Sequence, residues 1–140
     1  MIKTIVHYSD LHLKLYKYHE RDKVVLSDAL KEWKSIKPDR IVFTGDLVHS
    51  KNQMTPELIR LLSWWMTETA KICPTVYLIG NHDFLENNQD RLDAITPIVE
   101  NLNNDNITYY KDRGCYEDEN IMWCVYSLTD ENKKPDIPKT

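Results

Sequence analysis

Glycine is scarce in this chain, with three among 140 residues, and no charge of one sign dominates, the formal net charge being −4. With 41% hydrophobic and 29% charged residues, that composition excludes a collagen-like repeat, a charged tail and an array of domains. It suits one globular domain, large enough to bury roughly two-thirds of its unfolded surface. No apolar run approaches the ~20 residues that span a bilayer. The start, MIKTIVHYSD, reads as a strand and lacks the long apolar core and small-residue cleavage site of a signal peptide. Cysteine is limited to Cys73, Cys115 and Cys124, an odd number without metal-ligand spacing. That favours a reduced, intracellular protein whose cysteines have no redox function. The mild acidity (pI ≈ 5.7) argues against a generic polyanion binder and leaves room for a local basic strip.

What is present is layered. Lys3 to Tyr8, Arg40 to Thr44, Thr75 to Ile79, Ile107 to Tyr110 and Ile121 to Tyr126 are rich in β-branched and aromatic residues and predict strands. The first three are nearly continuous apolar runs, the pattern of strands covered by helices on both faces. Between them, Leu26, Ala29, Leu30 and Trp33 recur at helical spacing within 24–36. Thr55-Pro56-Glu57 opens a second helix with a cap, a proline suited to the first position and an acid at the positive end. Leu58, Leu61, Leu62, Trp65 and Met66 form its apolar face. A third helical stretch covers about 90–102, broken or restarted at Pro97 with Thr96 as cap. The segment 117–120 predicts an acidic hairpin loop. The order strand–helix–strand–helix–strand–helix–strand–strand predicts an α/β layered fold with right-handed crossovers and helices on a mixed sheet.

Each of the first three strands runs into a polar cluster: Ser9-Asp10-Leu11-His12, Gly45-Asp46-Leu47-Val48-His49 and Gly80-Asn81-His82-Asp83. Ligands of open α/β sheets bind beyond the carboxyl ends of the strands, so the three clusters should converge. Alone, each is unremarkable; a solvated Asp beside a turn is common. Together they use two of the three glycines and three of the five histidines, which makes coincidence improbable. Carboxylate, imidazole and amide oxygen suit manganese, iron or zinc better than calcium.

These motifs resemble the calcineurin-like metallophosphoesterases over about residues 1–128. Asp46-x-x-His49 followed by Gly-Asn-His-Asp is similar to the SbcD-type nuclease branch, as is the stretch Asn88 to Ile98. The resemblance implies that Asp10 and His12 ligate a first metal, that Asp46 bridges two ions and that Asn81 ligates the second. It implies that His82 assists the departing oxygen and that His49 positions the phosphate or DNA end, with Asp83 orienting His82. The implied cofactors are two divalent ions, manganese first, with iron, zinc or magnesium as substitutes. The implied protein is a DNA exo- or endonuclease subunit of repair or recombination, cytoplasmic or nucleoid-associated. It would be a homodimer working with an ABC-type ATPase. A small-molecule or cyclic-nucleotide phosphoesterase, and a non-catalytic scaffold of the same fold, are the alternatives.

The complete family site takes later histidines, one after a further strand and two from Gly-His-x-His, yet no histidine follows His82. The favoured reading is therefore the N-terminal portion of a nuclease domain over 1–128. The charged, proline-containing 129–140 would then be a loop or tail leading to the rest. Ligands from another chain, or a member without two metals, remain open. Such a portion would leave one side of the core uncovered.

Other features have plainer readings. Lys14, Lys17, Arg21 and Lys23 with Tyr16, Tyr18 and His19 form a basic, aromatic loop that suits phosphates and bases, or simply solvent. Trp64-Trp65 pairs one core residue with one at an interface, and His7 is a packed or paired strand residue.

Overall fold

A computed structural model describes residues 1–14, 16–50, 54–80, 83 and 93–126. Four strands, β1 (Ile5–Tyr8), β2 (Arg40–Phe43), β3 (Thr75–Leu78) and β4 (Ile107–Tyr110), form one parallel sheet in sequence order. Helices α1 (His19–Ile36) and α2 (Pro56–Ile72) connect the first three, and α3 (Thr96–Leu102) precedes β4. When strands are laid down in order, every right-handed crossover falls on the same face. The core agrees: Tyr8, Phe43, Tyr77 and Ile107, one face by register, pack with Leu26, Leu30, Leu58, Leu62, Trp65, Met66 and Ile98 of all three helices.

Two buried tyrosine hydroxyls in this layer have partners, as an apolar setting favours. Trp65 Nε1 donates to Tyr8 Oη at 2.9 Å, and Thr69 Oγ1 lies 3.0 Å from Tyr77 Oη. Burial raises the titration of both tyrosines, Tyr77 to about 12. Helix α2 begins as its sequence predicts: Thr55 Oγ1 accepts from Leu58 N at 3.2 Å with Pro56 in the first turn.

Three expectations are corrected. Among the described residues, helices cover only one face of the first strands. The opposite face is met by an antiparallel pair, β5 (Gly114–Asp118) and β6 (Ile121–Val125). Residues of that face identify the contact: Arg40 binds Asp118, and Tyr110 stacks on Tyr116 at 4.0 Å between ring centroids. Among the described residues the sheet is accordingly parallel rather than mixed, and the antiparallel pair stands apart. Finally, Glu117 and Asp118 belong to β5, and only Glu119 and Asn120 form the turn. Acidic residues are poor strand formers, but Asp118 is held by a tertiary partner that local composition does not reveal.

Helix α1 starts earlier than its apolar stripe, because Glu20 and Asp22 suit its positive end. The expected basic loop is thus a 3₁₀ turn (Tyr16–Tyr18) and the first turns of α1. Lys17 and Arg21 both lie over the Tyr18 ring. Trp65 is fully buried and Trp64 only partly, while His7 pairs with Thr44 Oγ1 at 3.0 Å. The expected tail at 129–140 lies outside the described residues. Among the described residues no helix is long and apolar enough to cross a membrane.

The hairpin is clamped by a two-pronged ion pair. Arg40 Nε and Nη2 donate to Asp118 at 2.8 and 2.7 Å, with side chains 13% and 20% exposed. Arg40 holds the Asp118 carboxyl below its usual range. Asp118→Asn removes the charge facing Arg40, which keeps Glu119 at 3.5 Å and the Asp39 carbonyl. The change should cost about 1–2 kcal/mol in urea unfolding. A loss under roughly 0.5 kcal/mol would show that the clamp is ornamental.

Helix α3 begins at Thr96 after the N-cap Ile95, and the side chain that holds its first amides is Asp93 rather than Thr96. Asp93 Oδ1 accepts from Ile95 N and Thr96 N, both at 2.8 Å, and Oδ2 from Thr96 Oγ1 at 2.6 Å. Lys111 Nζ lies 3.0 Å away. Burial works to raise the Asp93 carboxyl, but these donors together outweigh it and hold it below the ordinary value. A depressed carboxylate adds stability above its unfolded pKa and loses it as pH falls through the folded one. The melting temperature should therefore fall as pH drops below about 4, and Asp93→Asn should flatten that decline while lowering stability at neutral pH. Identical acid limbs for both proteins would refute the assignment.

Candidate metal centre

Two loops leave the carboxyl ends of β1 and β2 and run side by side. Thr44 N donates to Tyr8 O, Asp10 N to Gly45 O, His12 N to Asp46 O, Leu13 N to Leu47 O and His49 N to Leu13 O, all at 3.0–3.1 Å. The parallel ladder thus continues past the strands. Leu13, Leu47 and Val48 are buried and pin both loops into the core. The polar residues between them are left at the surface of the crevice.

That arrangement brings Asp10, His12 and Asp46 together, each offering one donor atom, all within 4.8 Å of one another. His12 Nε2 lies 3.4 Å from Asp10 Oδ1 and 3.7 Å from Asp46 Oδ2. The Ser9 hydroxyl bonds the other Asp10 oxygen. Two carboxylates and an imidazole facing one point are the donor set of a borderline divalent cation, whose charge offsets their mutual repulsion. The residues fit such an ion.

The backbone bends to achieve this. Asp10, His12 and Asp46 have φ of 56°, 46° and 61°, a left-handed region that ordinary residues avoid. The other such non-glycine residues among those described end helices (Lys37 and Asn103) or turn the hairpin (Glu119). Strain of about 1 kcal/mol or more per residue, collected at three convergent side chains, is a mark of a functional site.

Two glycines allow the loops to meet. A Cβ on Gly45, where φ is 118°, would lie 2.8 Å from Gly80 Cα. A Cβ on Gly80 would run into the Asp46 amide and carboxylate. Each glycine removes bulk where backbone meets backbone.

The third loop is fastened by Asp83. Its carboxylate, fully buried, accepts from Asp46 N, Leu47 N, Val48 N and Gly80 N at 3.0, 3.0, 3.2 and 2.9 Å. Desolvation pushes its titration up to about 6, against the pull of these amides and with help from the nearby Asp46 charge. The resemblance implies that Asp83 also orients His82, which lies outside the described residues. The four-amide role of Asp83 had no sequence signal beyond an Asp placed just after a strand-end glycine.

His49 stands next to the cluster, its ring 5.8 Å from that of His12 and inclined at 67° to it. Asn81 and His82 lie outside the described residues. Gly80 and Asp83, on either side of them, are both tied to the Asp46 loop.

Over 135 residues the chain is 36% identical to an uncharacterized protein, R555, of Acanthamoeba polyphaga mimivirus, covering 94% of this chain. It is 37% identical over 54 residues, 39% of the chain, to a protein of Invertebrate iridescent virus 6 named as a candidate phosphoesterase, 244L. The matched regions make up only 10% and 19% of those relatives' own lengths. Residues 3–134 match the family described as calcineurin-like phosphoesterase. Since that match takes in both strand-end loops and the Asp10, His12 and Asp46 they bring together, the chain belongs to the calcineurin-like phosphoesterase family.

Proposed function

We propose that this chain carries the first half of a metal-dependent phosphodiesterase site acting on DNA, of the SbcD-type nuclease kind. The observation that carries it is the convergence of Asp10, His12 and Asp46 on one point, each held in a left-handed backbone. Divalent ions bound there would neutralise phosphate charge and lower the pKa of the attacking water. In this reading Asp10 and His12 would hold the first ion, Asp46 would serve both, and Asn81 would add an uncharged oxygen to the second. His82 hands a proton to the departing oxygen, which needs an imidazole that is not itself a ligand. His49, beside His12, would position the phosphate or the DNA end.

DNA is favoured over a small ester by His49 and by the cationic turn in which Lys17 and Arg21 flank Tyr18. Manganese is the proposed metal, and a second copy of the chain and an ABC-type ATPase are the proposed partners. The test uses the complete gene product, stripped with chelator and then supplied with manganese. Duplex DNA should be cut only after the metal returns. Hydrolysis confined to a chromogenic small phosphoester would replace the DNA reading with the small-substrate one. No hydrolysis of either, with no metal retained by elemental analysis, would leave only a scaffold.

A further inference from the structure

Cys115 and Cys124 stand directly opposite each other in the β5–β6 ladder, with their Sγ atoms 3.2 Å apart. The hairpin closes through Glu119 and Asn120 between the paired residues Asp118 and Ile121. Hydrogen-bonded and non-hydrogen-bonded pairs alternate back from that closing pair. The cysteines therefore fall at a non-hydrogen-bonded place, where opposed side chains approach most closely. A disulfide spans that separation with little backbone movement.

Their surroundings permit the reaction. The two thiols share a face with Glu117 and Met122, and that face is turned to solvent: Met122 is 40% exposed, Cys124 exposed and Cys115 half-buried. The other face holds Asp118 against Arg40, Tyr116 against Tyr110 and the buried Val125. An oxidant can thus reach the pair while the hairpin stays docked. Cys73 offers the contrast within the same chain. It is buried at the end of α2, and desolvation pushes its thiol up to about 11, which suppresses the reactive thiolate.

We propose that Cys115 and Cys124 form a reversible disulfide, a modification site whose oxidant is a peroxide. The Cys124 thiolate, the more exposed, attacks one peroxide oxygen; the O–O bond breaks, leaving a sulfenic acid and one water. The Cys115 thiolate then attacks that sulfur and displaces the hydroxyl, which leaves as a second water once protonated. Two thiols and one hydrogen peroxide become one disulfide and two waters, and a dithiol reductant reverses the change. The bond staples the hairpin that holds Arg40 and Tyr110 on the second face of the sheet. A reversible disulfide departs from the sequence-based expectation of cysteines without redox function.

The test is mild hydrogen peroxide treatment of the protein, followed by alkylation of remaining thiols and peptide mapping. The expected product is a linked 115–124 pair, lighter by two hydrogens and reopened by dithiothreitol, while Cys73 remains alkylatable. Cys73→Ser should form the same link; Cys115→Ser and Cys124→Ser should each lack it. The oxidised wild type should melt several degrees higher than the reduced form, and Cys124→Ser should show no such gap. Both thiols still alkylatable after treatment, oxidation stopping at sulfinic acid, or links to Cys73 or to a second molecule would each overturn the proposal.

Discussion

Asp83→Ala should lower the melting temperature by on the order of 10 °C and abolish divalent metal binding together. The reason is the number of donors that depend on one side chain. Four amides, those of Gly80, Asp46, Leu47 and Val48, converge on its two oxygens in a buried setting. Each buried donor left without an acceptor costs about 1–3 kcal/mol, and water entering the gap recovers only part of this. A loss of at least about 3 kcal/mol is expected from the four. The raised titration of Asp83 does not contradict this. It says that an ionised carboxylate is worse off here than in water, and removal still leaves the amides behind, the asymmetry seen at buried ion pairs. Asp83→Asn tests the same point from the other side. It keeps the shape and one acceptor but turns an amide donor toward N–H groups, so it should fall between the alanine variant and wild type. Measurements belong at about pH 8, above the titration of the carboxyl itself. A melting temperature within about 1 °C of wild type for Asp83→Ala would refute the role.

The consequence for the site follows from which amides these are. Asp46 is one of the residues that Asp83 holds, and Asp46 is also one of the three that face the metal point. Its left-handed conformation is not intrinsically favoured, so something outside it must impose the bend. Asp83 and the Gly45–Gly80 contact supply that constraint from one side, and the His12 N–Asp46 O bond from the other. Loss of Asp83 should therefore relax Asp46 toward ordinary backbone geometry and carry its carboxylate away from His12.

Much of this was legible in the chain and some was not. The strand-end clusters were readable because metal ligands are polar residues placed where strands should stop being polar-poor. Asp10, His12 and Asp46 duly meet in space. The order of strands and the cap at Thr55 were readable because periodicity and capping are local properties. The hairpin's first strand was not, since Gly114–Asp118 owes its conformation to β6 and to Arg40, 78 residues away from Asp118. The sheet's second face was misjudged for a related reason. An apolar run says that both faces are buried and is silent about what buries them. Asp83 was noticed, but the four amides it holds were not foreseen, because backbone amides leave no trace in a sequence.

Asp46→Asn should separate the metal from the fold more cleanly than any deletion. Asparagine accepts left-handed backbone readily, so the turn at φ 61° survives the change. The amide that Asp83 holds is untouched. What goes is one of two negative charges beside His12. The metal-free variant should then melt at or slightly above the wild-type temperature, since the repulsion between Asp10 and Asp46 is relieved. Added manganese should distinguish the two proteins sharply. A ligand present at 100 times its Kd stabilises the folded state by about 2.7 kcal/mol, a shift on the order of 5–10 °C for a domain of this size. Wild type should show that shift and Asp46→Asn almost none, with an affinity at least about tenfold weaker by calorimetry. His12→Asn should behave likewise, and is preferable to His12→Ala because alanine pays for φ 46° where asparagine does not. In the complete gene product the same Asp46→Asn change should cut phosphoester hydrolysis by roughly 10³-fold, the equivalent of several kcal/mol of lost charge stabilisation. A manganese-induced shift of wild-type size in Asp46→Asn would mean that the cluster is not the metal site, whatever its geometry.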